Sequence, residues 1–248
     1  MHFQTAILSE KAGRAINQDY AAYSELDNSG CWVLADGLGG HVAGEIAAKL
    51  AAESILQIYT QYYDRPWIEH GIERAHKTLH EQQKRSAVRS SMRTTIVVLT
   101  CLNDYAYWAH VGDSRLYHFR DGQLLAQTKD HSVCQALVNA GEITAKEIRF
   151  HEDRNRLYRV LGAEGAAKPT INNDGIPLEH GDAFLLCSDG FWEVVTEEKM
   201  QNTRMLASSA LEWLYMMEAV LKEQMTERHD NYSAIAILIN KNKHTTMR

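Results

Sequence analysis

Aspartate recurs at one kind of place in this chain. Cys31-Trp-Val-Leu-Ala runs into Asp36-Gly37, Tyr105-Ala-Tyr-Trp-Ala-His-Val into Gly112-Asp113, and Ala183-Phe-Leu-Leu-Cys-Ser into Asp189-Gly190. Asp230-Asn231 directly precedes the apolar run Ser233–Ile239, and Asp19 directly precedes Tyr20–Ser24. Five carboxylates therefore stand at the ends of expected strands, three of them next to glycine. A stiff strand aims its terminal side chain outward, and glycine lets the chain turn and main-chain oxygens approach a ligand. If the five converge, repulsion and desolvation forbid a compact site without cations. Oxygen-only ligands suit Mg²⁺ or Mn²⁺, and a pair of such ions can generate a hydroxide that attacks phosphorus in line. Asp-Gly also marks plain turns, as at Asp121-Gly122, and that reading serves for any one pair taken alone. Five aspartates at strand ends, with apolar approaches, favour convergence.

The elements that must position these residues follow from periodicity. Runs rich in β-branched, aromatic and aliphatic residues predict strands at Phe3–Leu8, Tyr20–Ser24, Cys31–Ala35, Thr94–Leu102, Tyr105–Val111, Leu116–Phe119, Leu124–Gln127, Ala183–Cys187 and Ser233–Ile239. Arg120-Asp121-Gly122 reads as a hairpin turn, and hairpins mean antiparallel pairing. Apolar residues at i, i+3, i+4 and i+7 predict helices over Gly44–Tyr59 and Trp67–Lys84. Capping boxes at Ser132-Val-Cys-Gln135 and Thr144-Ala-Lys-Glu147 predict two short helices with Gly141 as the stop between them, and Ser209 opens a last one. Helices packed on antiparallel sheets make an α+β layered fold. The chain reads as a single domain over residues 1–248, with a more polar excursion at about 129–170.

Composition narrows the function classes. The 248 residues are 45% apolar, enough for a sizeable core. Lys and Arg total 26 against 32 Asp and Glu, a formal charge of −6, so no broad basic field invites nucleic acid. The first residues lack the pattern of a secretory signal, and no apolar run reaches the roughly 18 residues of a membrane helix. A soluble, cytoplasmic protein is expected, with no membrane partner. Cys31, Cys101, Cys134 and Cys187 form no C-x-x-C pair and sit in apolar settings, which reads as buried reduced thiols.

Read in order, the motifs resemble the metal-dependent PP2C-type (PPM) serine/threonine protein phosphatases, and among them the short bacterial branch. They are Arg14-Ala-Ile-Asn17-Gln18-Asp19, Ala35-Asp36-Gly37-Leu38-Gly39-Gly40-His41, Val111-Gly112-Asp113-Ser114-Arg115, Cys187-Ser188-Asp189-Gly190 and Asp230-Asn231. A sixth, looser match, His151-Glu-Asp-Arg154-Asn155 through Leu161-Gly162, is similar to the mobile flap of bacterial members. The resemblance implies a four-layer α-β-β-α sandwich of two antiparallel sheets flanked by helices. It implies two core Mn²⁺ or Mg²⁺ ions and a possible third. Asp36 would bridge the core pair with the Gly37 carbonyl, Asp189 and Asp230 would complete the first ion, and Asp19 would hold the second. Asp113 with Asp189 would form the weaker site. Arg14 would grip the substrate phosphate, a task that suits a guanidinium fork. Asn17 and Asn231 would orient loops or ligands. The implied reaction is hydrolysis of phosphoserine and phosphothreonine on proteins by a metal-bridged hydroxide, reversing a serine/threonine kinase. A monomer is expected. Two alternatives stand beside it: a non-catalytic signalling module on the same fold, and a phosphatase of small phosphate esters.

Leu38 departs from the many eukaryotic members that carry histidine there as general acid. An aliphatic side chain donates no proton, so the leaving oxygen must take one from metal-bound water or, as a weaker candidate, from His41. Arg93 stands where relatives usually have glycine, either touching a carboxylate or starting a strand in solvent. His76-x-x-x-His80 has metal-pair spacing but no third ligand, and reads as a solvated helix face. The glycines after Asp36 lack the Lys-Ser/Thr of a P-loop, and Ser188 lacks a nucleophile elbow. Trp32, Trp108 and Trp192 read as core. Lys84, Arg85, Arg89 and Arg93 form a modest basic surface, suited at most to steering an acidic phosphopeptide. Replacing His41 by alanine is expected to change turnover only modestly. A fall of about a hundredfold in kcat with an intact fold would identify His41 as the general acid instead.

Overall fold

The computed structural model describes residues 1–26, 28–38, 41–62, 67–85 and 90–241. Gly39, Gly40 and Arg89 lie outside these residues, as does the side chain of His41. One sheet runs in the order β1 (His2–Glu10), β12 (Tyr232–Asn240), β11 (Ala183–Cys187), β7 (Arg115–Arg120) and β8 (Gln123–Gln127). The second runs β10 (Ile176–Pro177), β6 (Tyr105–Val111), β5 (Ile96–Leu102), β3 (Ser29–Leu38) and β2 (Asp19–Leu26). Two short strands join it, β4 (Arg93–Thr94) on β3 and β9 (Thr170–Ile171) on β6. Every pairing is antiparallel.

The two-residue alternation of a strand assigns each side chain to a layer. In β3, Trp32 and Leu34 face the other sheet, while Cys31, Val33 and Ala35 face helices. In β12, Ile235, Ile237 and Ile239 face inward between the sheets, while Ala234 and Ala236 face outward. Three apolar layers result. The middle one joins the two sheets through residues such as Leu99, Phe184 and Leu186. Outside the second sheet pack α1 (His41–Gln61) and α2 (Trp67–Gln83), through Ala47, Ala51, Ile55, Ile72 and Leu79. Outside the first pack α5 (Glu197–Leu206) and α6 (Ala210–Gln224), through Met200, Trp213, Met217 and Leu221. This is the expected α-β-β-α sandwich. All four cysteines are buried and free.

Several local expectations need correction. β3 continues through Asp36 and Gly37 to Leu38, because β4 pairs with its last two residues, so Asp36 lies inside a strand. The box at Thr144 forms, its amide and hydroxyl both donating to Glu147 Oε2 at 2.7 Å, but only one 3-10 turn (Glu147–Phe150) follows. The box at Ser132 does open a helix, α3 (Val133–Ala140), which Gly141 closes in the left-handed region at φ 77°. The helix α5 escapes a periodicity reading because it buries only Met200 and Thr203. The His76 face is not solvated. His76 Nδ1 accepts from the Gly162 amide at 3.1 Å, and its Nε2–H donates to the Gly165 carbonyl at 2.8 Å. Gln83 donates to the carbonyls of Met92 and Gly162. Through these bonds α2 holds the end of the 129–170 excursion, beside the Thr94–Leu161 bridge.

A buried ion pair fixes the other side of that excursion. Arg115 donates two hydrogen bonds to Asp130, at 2.8 and 2.7 Å, with both side chains almost wholly buried. The guanidinium also lies 3.4 Å over the Trp192 ring, and Trp192 Nε1–H donates to the Asp113 carbonyl. Removing one partner of a buried pair leaves a charge uncompensated. Asp130→Ala is therefore expected to lower unfolding stability by about 3–5 kcal/mol in urea. A loss below about 1 kcal/mol would show that the pair is not what anchors this region.

Candidate active site

Antiparallel register makes Asp19 and Asp36 direct cross-strand partners, the first residue of β2 opposite the fifth residue of the Trp32–Leu38 run. Facing carboxylates in such a pair repel. Asp113 follows β6 in the turn that begins at Gly112, whose φ of 104° favours glycine. Asp189 is the first residue of the short helix α4 (Asp189–Trp192), directly after β11. Asp230 precedes β12. The five expected acids thus come from both sheets and meet at one end of the sandwich.

Four of them line a polar cleft of about 200 Å³. Arg14, Asp36, Gly37, Asp113, Asp189 and Asp230 all line it. Asp19 does not; it lies buried behind Asp36, where the Ser188 hydroxyl donates to its Oδ2 at 2.7 Å. Its Oδ1 is buried with no hydrogen-bond partner. Among the described residues, no three acidic, imidazole or thiol groups already close around one point as a ligand set. The carboxylates are gathered rather than caged. Arg14 Nη2 holds Asp230 Oδ2 at 2.7 Å, and Asp189 Oδ1 accepts from the Gly190 amide at 2.6 Å.

Crowding shows in the protonation of these groups. Burial, followed by the charges of Asp189, Asp19, Asp113 and Asp230, pushes the Asp36 carboxyl well above the usual range. Asp189 is pushed the same way, by burial and then by Asp113, Glu193, Asp230 and Asp19. Burial raises Asp113 to about 7, with Asp130 adding to the rise and Arg115 opposing it. Burial raises Asp19 to about 6 against the hydrogen bonds of Ser188 and Ser233. Oxygen-only donors, mutual repulsion and an orphaned buried oxygen on Asp19 are what a hard divalent cation would relieve, so the residues present fit Mn²⁺ or Mg²⁺.

Backbone and polar neighbours hold the acids in place. Asp36 N–H donates to Thr95 Oγ1, which bonds Ser114 Oγ, while the Asp36 carbonyl accepts from Thr95 N–H and Thr94 Oγ1. At Gly37 a Cβ would come within 2.1 Å of the Gly44 carbonyl, so α1 packs directly on this strand. Asn231 clamps the loop that carries Arg14: its Oδ1 accepts from Gln18 N–H, and its Nδ2 donates to the carbonyls of Lys11 and Ile16. Asn17 bonds Ser9 and the Asp19 amide.

Further residues complete the cleft and its surroundings. Gln18 and Leu157 also line the cleft, as do Asn155 from the flap-like motif and Asn231. Glu193 lies near Asp189 and binds Arg154 at 2.7 Å; nothing in its sequence context marks it. His131, within Asp130-His131-Ser132, accepts from the Gly112 amide through Nδ1 and so supports the Asp113 turn. Arg93 is exposed at the start of β4, opposite Leu38, and Lys84 and Arg85 are exposed as well.

A carboxyl raised in the fold binds protons that the unfolded chain has already lost. Its stabilising contribution is complete below the ordinary carboxylate range, and it is lost as pH rises through about 6 for Asp19 and about 7 for Asp113. Asp36→Asn removes one ionisable carboxyl from this crowd. In metal-free protein at pH 7.5 it is expected to raise the unfolding temperature, by about 2–4 °C per kcal/mol relieved. The gain should shrink at pH 5. An unchanged or lower midpoint at pH 7.5 would show that the acids do not strain one another.

The family model described as protein phosphatase 2C matches residues 9–228, and Asp230 lies just beyond that span. The serine/threonine phosphatase stp of Listeria welshimeri is 36% identical over 109 residues, which cover 44% of this chain and 42% of that protein. The match thus spans less than half the length of this curated relative. The crystal structure of the Mycobacterium tuberculosis serine/threonine phosphatase PstP/Ppp superposes with a TM-score of 0.83 at 27% identity, covering 96% of this chain and 99% of that one. The PstP catalytic domain in complex with 2 manganese ions gives a TM-score of 0.81 at 25% identity, with coverage of 96% and 99%. The chain belongs to the protein phosphatase 2C family.

Proposed function

We propose that this chain is a divalent-metal-dependent phosphatase that removes phosphate from phosphoserine and phosphothreonine in proteins. It acts in the cytoplasm as a monomer, opposite a serine/threonine kinase, and forms one catalytic domain from which residues 129–170 extend as a flap. The observation that carries the reading is the meeting of Asp36, Asp113, Asp189 and Asp230 in one cleft with Arg14 at its rim. The manganese pair in the PstP relative supports it. Among the described residues, no helix is long and apolar enough to cross a membrane.

Asp36, with the Gly37 carbonyl as a further ligand, and Asp189, Asp230 and Asp19 would hold two Mn²⁺ or Mg²⁺ ions. Asp113 with Asp189 would hold a third, weaker ion. Bound there, the ions lower the pKa of water and offset the negative charge of phosphate. The chain's own residues do the positioning. Arg14, freed from Asp230, offers its fork to the phosphate oxygens, while Asn231 fixes the loop beneath it. Leu38 lines the cleft and holds no proton, so the leaving oxygen is assigned a proton from water, with His41, whose side chain lies outside the described residues, as the weaker candidate. All four thiols are buried and pushed upward by that burial, which leaves no nucleophile for a covalent phosphocysteine route.

Phosphate release should require Mn²⁺ or Mg²⁺ and be faster from phosphothreonine peptides than from phosphotyrosine peptides or metabolite phosphates. Faster turnover of a metabolite phosphate would move the assignment to small esters. Asp36→Asn should lower metal-dependent hydrolysis of an aryl phosphate by at least about a hundredfold with the fold intact. Wild-type activity in that variant would overturn the role given to Asp36. Because Asp19 and Asp113 must lose protons held up to about 6 and about 7, Mn²⁺ affinity should fall as pH drops from 8 to 5.5, with proton release on binding. Titration calorimetry in buffers of different ionisation enthalpy reads this directly, and buffer-independent heats at pH 6.5 would contradict it.

A further inference from the structure

Beside the reaction cleft, and sharing Arg14, Asp189 and Asp230 with it, opens a second polar pocket of about 230 Å³. Its far wall is the 226–229 turn, which presents Arg228 and His229. This turn is held by its surroundings. His229 Nε2–H donates to the Gly190 carbonyl at 2.8 Å, and the Gly13 amide donates to the His229 carbonyl at 3.1 Å. A Cβ on Gly13 would come within 2.1 Å of the Glu227 carbonyl, so the Arg14 loop lies against the turn with no room between them. Arg14 and Arg228 therefore reach the same pocket from two loops in direct contact.

The charges in this pocket do not balance. Arg14 pairs with Asp230 and Arg154 with Glu193, whereas Arg228 has no carboxylate partner among the described residues. Resting on the metal-dependent reading above, Asp189 and Asp230 are committed to cations. With Arg14 turned to the phosphate in the cleft and Arg154 held by Glu193, the Arg228 guanidinium is left without an acid among the described residues. Guanidinium forks in a partly enclosed polar pocket select planar or tetrahedral oxyanions. We propose that Arg228 forms, beside the cleft, a specificity subsite for a second oxyanion on the same substrate chain. That group is a carboxylate or a further phosphate about one to three residues from the phosphorylated residue, the reach of an extended peptide at about 3.3–3.6 Å per residue. A substrate without such a group uses the cleft alone.

The test compares kcat/KM, with Mn²⁺ present, for wild type, Arg228→Ala and Arg228→Glu. Arg228 is exposed, so both variants should fold. The substrates are an aryl phosphate and three phosphothreonine peptides. One peptide has neutral flanks, one has glutamate two residues to either side, and one has a non-hydrolysable phosphonate there. Wild type is expected to favour at least one charged peptide by about three- to tenfold, mostly through KM, and to lose the preference as salt rises. The two charged arms tell carboxylate from phosphate. Arg228→Ala should bring the ratio near one, and Arg228→Glu should invert it. Normal aryl phosphate hydrolysis with equal rates on all three peptides would overturn the subsite alone, as would a preference that survives both substitutions. Failure of wild type to hydrolyse the aryl phosphate would overturn the phosphatase reading and the subsite with it.

Discussion

Like charges brought together must be forced together, and most of this fold can be understood as the means of forcing. Asp19 and Asp36 face each other across two strands, and Asp113, Asp189 and Asp230 arrive from three further chain segments. Burial and repulsion push the carboxyls of Asp19, Asp36, Asp113 and Asp189 upward, and only a few hydrogen bonds and the charge of Arg115 oppose the rise. The stabilisation comes from elsewhere, chiefly from three apolar layers whose residues have no part in the chemistry. Functional strain of this kind persists only where the surrounding structure overdetermines it.

Between the apolar layers and the cleft lies a shell of small polar side chains. Ser188 binds Asp19 and the Ser233 amide, Ser233 binds Ser9, and Ser9 binds Asn17. Thr95 joins Ser114 to the Asp36 backbone. These bonds satisfy buried donors and acceptors that would otherwise be costly, and they tie strands of the two sheets to one another. On the far side of Asp113, Arg115 and Trp192 serve the same end with a charge and a ring. The acids are thus held by rigid elements on nearly every side, while Arg14 sits on an exposed loop secured at its base by Asn231.

Much of this was legible in the sequence, for physical reasons. Strands with alternating Ile and Ala, or Trp and Val, announce two-sided burial, and aspartates next to glycine announce turns at their ends. The ordered motifs marked the rest of the site, with Arg14 as a grip for phosphate, while its bond to Asp230 is visible only in the fold. What stayed hidden depends on pairing partners distant in the chain. Asp36 reads as a strand end until β4 is seen to extend the ladder at Gly37 and Leu38. His76 reads as a solvated helical residue until Gly162 and Gly165, far along the chain, are seen to fold over it. The helix α5 buries too little to leave a stripe, and Glu193, Arg228 and His229 have no motif around them.

The strand β12 turns the layering into a rule about tolerance. It sits between β1 and β11, with isoleucines on the inner face and alanines at 234 and 236 on the outer. A slip of one residue would drive isoleucine into the close contact with α6 and leave alanine-sized voids between the sheets. The same slip would carry Asp230 about 3.4 Å along the strand axis, out of reach of its partners. Packing error and misalignment of the acids are therefore one event in this molecule, and mutations that loosen its interior will be felt first at the acidic cleft.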